Sequence, residues 1–226
     1  MIELEGLTKQ FGEKLVLDRV SFCFEKGTIN GIVGLNGAGK TTLFNCIVGL
    51  LSYTGRVICN ANNKIGFLPT QTYLYPKTTG LEFIEFCLIA CGVKVDYKEI
   101  ASINEVFKLP LKDEYARNYS DGMKKKLSIL ILLLQKNDIL ILDEPFNNLD
   151  VETNLILLDI LKQIRKNKTI LISSHIIDPL KAICDNVILL HNSKFQQSFT
   201  SNNFNEVEEF FSNQREANIN QIIQKL

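Results

Sequence analysis

The stretch "TINGIVGLNGAGKTT", residues 28–42, decides how the rest of the chain is read. A short β-branched run leads into three spaced glycines, Gly34, Gly37 and Gly39. Lys40, Thr41 and Thr42 then open a segment of helical spacing. The pattern G-x-x-x-x-G-K-[ST] between a strand and a helix marks a phosphate-binding loop. Its glycines let successive N–H groups turn inward around an anion, and the helix that follows adds the positive end of its dipole. On this reading Asn36, Gly37, Ala38, Gly39, Lys40, Thr41 and Thr42 hold the phosphates of a nucleotide. Lys40 reaches the β- and γ-phosphates, Thr41 binds Mg²⁺, and Thr42 holds an inner phosphate. The competing reading is an ordinary glycine turn.

Four further apolar runs resemble the strand before this loop: "KIGFLP" (64–69), "DILILDEP" (138–145), "KTILISSH" (168–175) and "NVILLH" (186–191). Their length and flanking Gly, Asp and Pro favour strands over buried helix fragments. Helical segments separate them, so the pattern predicts an α/β fold with a parallel sheet and sites at the carboxyl ends of its strands. The opening, "MIELEGLTKQF" and "LVLDRVSFCFEKG", alternates in polarity and predicts an N-terminal antiparallel β region. Between about 72 and 136 strand signals give way to three helical segments, read as an inserted α-helical subdomain. Val207, Phe210, Phe211, Ile219, Ile222, Ile223 and Leu226 recur at three-to-four spacing and predict a C-terminal helical tail over about 203–226. The whole, 1–226, reads as one domain.

In "ILILDEP", Asp143 and Glu144 stand side by side at a strand end, where neighbouring side chains point in different directions. Asp143 can then face Mg²⁺ through a water while Glu144 faces an attacking water beside the γ-phosphate.

Composition narrows the classes. In 226 residues, 46% hydrophobic, Lys+Arg and Asp+Glu are 25 each. No net field draws the chain to nucleic acid or an anionic membrane, so no nucleic acid partner is expected. The one sharp basic run, Lys124 to Lys126, reads as a solvated helix face. No apolar run reaches the ~18 residues that span a bilayer, and the start lacks the order of a signal peptide. The six cysteines form no C-x-x-C pair and read as reduced core residues of a cytoplasmic protein. Two histidines, His175 and His191, are too few for a histidine-based metal site.

The order of these motifs resembles the nucleotide-binding subunit of an ABC transporter, a P-loop NTPase of RecA-like fold, over nearly the whole chain. The resemblance carries further roles. Phe11 in "KQFGEK" matches the aromatic that stacks on adenine. Gln71, ending "IGFLPTQ", matches the glutamine that touches Mg²⁺ and the attacking water. "NNLD" (147–150) resembles the loop that crosses between protomers, and His175 matches the histidine on the γ-phosphate. "YSDGM" (119–123) resembles the family signature, whose Ser120 and Gly122 would bind the γ-phosphate of ATP held by a second copy or a related subunit. Ser120 is also an ordinary helix cap. Glycine is frequent in the family where Asp121 stands, and a carboxylate near a triphosphate is unfavourable unless it turns away.

The resemblance implies an ATPase, dimerising on ATP, that powers transport through a separate membrane permease and lies peripherally on the cytoplasmic face of the membrane. "YSxGM" and "LYPKTTGLEFIEF" (74–86) look most like ATPases of exporters. The alternatives are a soluble ABC-type mechanical ATPase and a P-loop kinase or GTPase. The first is disfavoured by neutral charge and the lack of a coiled-coil insertion, the second by the lack of a guanine-reading N-K-x-D stretch.

Overall fold

The computed structural model describes residues 1–200 and 203–213. Strands β1 (Ile2–Phe11), β2 (Lys14–Phe24) and β4 (Thr54–Cys59) form an antiparallel sheet in the order β2-β1-β4. Strands β3 (Ile29–Val33), β5 (Ile65–Leu68), β6 (Ile139–Asp143), β7 (Thr169–Ser174), β8 (Asn186–His191) and β9 (Lys194–Thr200) form a second sheet in the order β5-β6-β7-β3-β8-β9. Its first five members pair in parallel and are the five apolar runs of the sequence. β3, β6 and β7 are buried at every position, which is why those runs do not alternate. β9 pairs antiparallel to β8 and was not read from the sequence, since "KFQQSFT" shows only Phe195 and Phe199 as apolar side chains.

The parallel sheet divides two hydrophobic clusters. Ile32, Ile141, Leu171 and Ile188 face helix α1 (Lys40–Ile47) and the antiparallel sheet. Val33, Leu142, Ile172 and Leu189 face the other way, into the helical subdomain. That subdomain contains α2 (Gly80–Ala90), α3 (Tyr97–Phe107) and α4 (Asp121–Leu134). α4 starts at an exposed Ser120 cap and ends among Leu127, Leu130 and Leu134, all buried. Helices α5 (Val151–Ile164) and α6 (Asp178–Ile183) complete that layer. Residues 205–213 are helical, with Val207 buried and Phe210 and Phe211 packed on the core. The expected tail residues Ile219, Ile222, Ile223 and Leu226 lie outside the described residues.

Two expectations need correction. Lys124 to Lys126 is not a solvated face: Lys125 is 3% exposed, and all three lysines are paired. The cysteines are free, but only Cys46 and Cys184 are buried, while Cys23 and Cys91 are exposed. The apolar neighbours that suggested core lie on half-covered strand and helix faces.

Candidate functional site

The loop after β3 wraps a cleft of about 400 Å³ at the carboxyl end of the parallel sheet. Asn36 through Thr42 line it together with Thr70, Glu144, Asn147 and His175. Gly39 precedes α1 with φ +107°, a left-handed conformation that glycine adopts without strain. The first-turn N–H groups of α1 have no intrahelical acceptors, and no acidic residue occupies that turn. The cleft floor is therefore a ready anion site.

Lys40 Nζ donates to the carbonyl of Gly34 at 2.7 Å and lies 3.8 Å from Glu144 Oε1. Burial lowers the Lys40 pKa, against the opposing pull of the Glu144 and Asp143 carboxylates. Asp143 is fully buried and accepts three hydroxyl bonds: from Thr41 at 2.7 Å, from Thr70 at 2.5 Å, and from Ser173. Thr41 and Asp143 thus bring two hard oxygen donors together at the edge of the phosphate cradle. That pair suits Mg²⁺, which takes few protein ligands and fills its octahedron with phosphate oxygens and water. Among the described residues no group of three or more His, Cys, Asp and Glu is placed to hold a metal ion.

Glu144 leaves β6 in a left-handed conformation, φ +49°, immediately before Pro145. A non-glycine residue held there stores about 1–3 kcal/mol of strain, and such strain collects at sites that need one fixed geometry. The surroundings fix it. Glu144 N donates to Ser173 Oγ at 3.0 Å, and Glu144 Oε2 lies 2.9 Å from His175 Nδ1. Asp143 pairs directly across from Ser173 in the sheet, so strand register alone aligns these groups.

Residues 17–147 match the family model described as ABC transporter. An uncharacterized ABC transporter ATP-binding protein of Methanocaldococcus jannaschii is 36% identical over 200 residues, covering 85% of this chain and 75% of that one. The chain belongs to the ABC transporter family, among its ATP-binding proteins. A zinc import ATP-binding protein of Photobacterium profundum is 34% identical over 195 residues, covering 85% of this chain and 75% of its own. A solved ATP-binding subunit of an ABC transporter superposes with a TM-score of 0.81 at 26% identity, over 88% of this chain and 90% of the other.

Other residues singled out in this ABC chain lie outside the phosphate cleft. Phe11 ends β1, is half exposed, and carries the Lys9 ammonium 4.7 Å from its ring centroid. Gln71 lines a neighbouring polar cavity of about 340 Å³ with Asp121, Lys124, Lys125 and Asn148. Thr70, which sequence reasoning passed over, reaches the Asp143 carboxylate in its place. Ser120 caps α4 by accepting from Met123 N at 3.2 Å. Gly122 packs so closely on the Asn148 carbonyl that an added Cβ would sit 2.7 Å from it. The Asp121 side chain is 79% exposed and pairs with Lys124 at 3.0 Å, so its charge turns outward and is partly neutralised. A larger cavity, about 520 Å³ between α2, α3 and residues 109–113, is mainly apolar and offers no phosphate chemistry.

Proposed function

We propose that this chain is the ATP-binding and ATP-hydrolysing subunit of a transporter whose membrane-spanning part is a separate chain. The observation that carries the reading is the convergence of Lys40, Glu144 and His175 on the cleft that the glycine loop lines. Glu144 is the general base and polarises water for in-line attack. His175 holds its carboxylate in place and faces the γ-phosphate. Lys40 exchanges its backbone carbonyl partner for phosphate oxygens, and the N–H groups of Gly37 to Thr42 receive the charge that develops. Thr41 and Asp143, with Gln71 from the neighbouring cavity, would hold Mg²⁺, which would supply positive charge against the phosphates. Phe11 offers its open ring face to adenine.

Ser120 is exposed and Gly122 half-buried beside it, and both serve the ATP on a second copy. Two ATPs then join two chains, and hydrolysis releases them. No described helix is long and apolar enough to cross a membrane. Tyr73, Tyr75, Phe86 and Ile89 form an exposed apolar patch beside Gln71 that suits docking by such a permease. The export direction follows from the resemblance of "YSDGM" and residues 74–86. The relative from Photobacterium profundum is named for zinc import, the opposite direction.

The test is phosphate release by purified chain with Mg²⁺-ATP, alone and with the multi-span protein encoded beside it. Turnover that is chelator-sensitive and altered by co-purified permease is expected. Chain that releases no phosphate in either setting overturns the reading.

A further inference from the structure

The three consecutive lysines of "SDGMKKKL" reach three different segments. Successive residues of a helix point about 100° apart, so adjacent ammonium groups diverge. Lys124 turns back to Asp121. Lys126 pairs at 2.6 Å with Asp150, whose other carboxylate oxygen caps α5 by accepting from Thr153 N. Lys125 goes inward, donating to the Pro69 carbonyl at 3.1 Å and the Asp143 carbonyl at 3.3 Å.

The second of these bonds falls on the peptide between Asp143 and Glu144. That peptide is gripped on both sides: its N–H donates to Ser173 Oγ, and its C=O accepts from Lys125. The orientation of the plane sets the φ of Glu144, which sits at +49°. A left-handed residue before a proline persists only where its surroundings over-determine it. The first bond acts in parallel on the carbonyl that leads into Thr70, itself bonded to the Asp143 carboxylate. Burying an ammonium is costly, and burial pushes Lys125 down to about 8. A core helix position has no need of that charge, so the bonds it makes are the reason for it.

We propose that Lys125 is a positioning residue for Glu144: it holds the Asp143–Glu144 peptide in the plane that aims the base. Because it rises from the helix that Ser120 caps, the aim of the base in one ATP site depends on how the chain's own signature helix is seated against the partner's ATP. This rests on Glu144 being the base and on Ser120 acting across a dimer.

The experiment compares Lys125→Met, Lys125→Arg and Glu144→Gln in the full chain. Lys125→Met keeps length and burial but loses both hydrogen bonds. It should lower kcat about 10-fold while KM for ATP and the affinity for a fluorescent ATP analogue stay within about 2-fold. Lys125→Arg, which keeps a donor, should recover most of that loss. Introduced into Glu144→Gln, Lys125→Met should cost no further residual turnover, since a residue acting through Glu144 has nothing left to aim. A multiplicative loss in the double variant, or an unchanged kcat in a folded Lys125→Met, overturns the proposal. If Lys125→Met does not fold, Lys125→Gln is read by the same criteria. Near-normal turnover by Glu144→Gln would instead overturn the choice of base, and that outcome is separate from any result at Lys125.

Discussion

In the phosphate cleft each charged side chain already has a partner on its own chain, whereas the tip of α4 presents a helix N-terminus with only its own cap. Lys40 rests on a carbonyl, Asp143 on three hydroxyls, and Glu144 between His175 and Lys40. Ser120 accepts one bond, from Met123 N, and is exposed. On the proposed reading, the cleft's partners are stand-ins that substrate displaces, and the tip is half of a site that a second copy completes.

The sharpest way to break this contrast is Glu144→Gln, which keeps size and hydrogen bonding but removes the base. Turnover should fall by about 10²-fold or more while ATP still binds, and an ATP-bound dimer should accumulate. Phosphate release assays and gel filtration read both, and near-normal release would mean that the base lies elsewhere.

A second test asks whether the tip completes another chain's cleft. Lys40→Ala and Ser120→Arg each spoil both sites of their own homodimers. Mixed, they place both defects in one site and leave the other intact. ATP-dependent pull-down between differently tagged chains, with some hydrolysis, is the expected recovery. Wild-type chain mixed with the double variant carries one defect in each site if Ser120 acts across the dimer, and has one intact site if Ser120 serves the ATP of its own chain. Recovery there, with none from the two single variants, would assign Ser120 to its own chain's ATP.

Docking is a smaller effect. Tyr73→Ala with Tyr75→Ala should weaken co-purification with the permease by about 10-fold or more, since aromatic anchors dominate interfaces. The melting temperature should fall little, because Tyr73 is largely exposed and Tyr75 about half exposed. Intact co-purification would move the docking surface elsewhere.

The smallest effect belongs to Asp121. Its carboxylate is exposed and paired with Lys124, so Asp121→Gly should change ATP-driven dimerisation by less than about 2-fold at either low or high salt. A strong gain at low salt, seen by sedimentation, would show that the carboxylate faces the triphosphate after all.

The cleft was more legible than the tip because its parts are local. Residues 28–42 carry strand, loop and helix in one stretch, and "ILILDEP" announces its own strand end. What could not be read depends on register and side-chain direction. Ser173 matters because β6 and β7 pair Asp143 with it, and no spacing in the sequence encodes that pairing. Thr70 precedes the glutamine that drew attention, yet it reaches Asp143. Lys125 looked like one of three solvated charges because composition does not tell which of three neighbours points inward. β9 was lost for the opposite reason, as its exposed glutamines hide two inward phenylalanines.

α4 has a mechanical consequence of its own. Its 14 residues make a rod of about 20 Å, rooted in the core by Leu127, Leu130 and Leu134 and free at the Ser120 end. A tilt of about 10° at the root would carry the tip by about 3.5 Å, the difference between a formed and a broken hydrogen bond. Lys125 stands closer to the root than Ser120 and so has the shorter arm, moving less than Ser120 but enough to shift a single peptide plane. If Ser120 acts across the dimer, the helix would work as a geared lever: a wide swing at the mouth of one site would become a fine adjustment at the heart of the other.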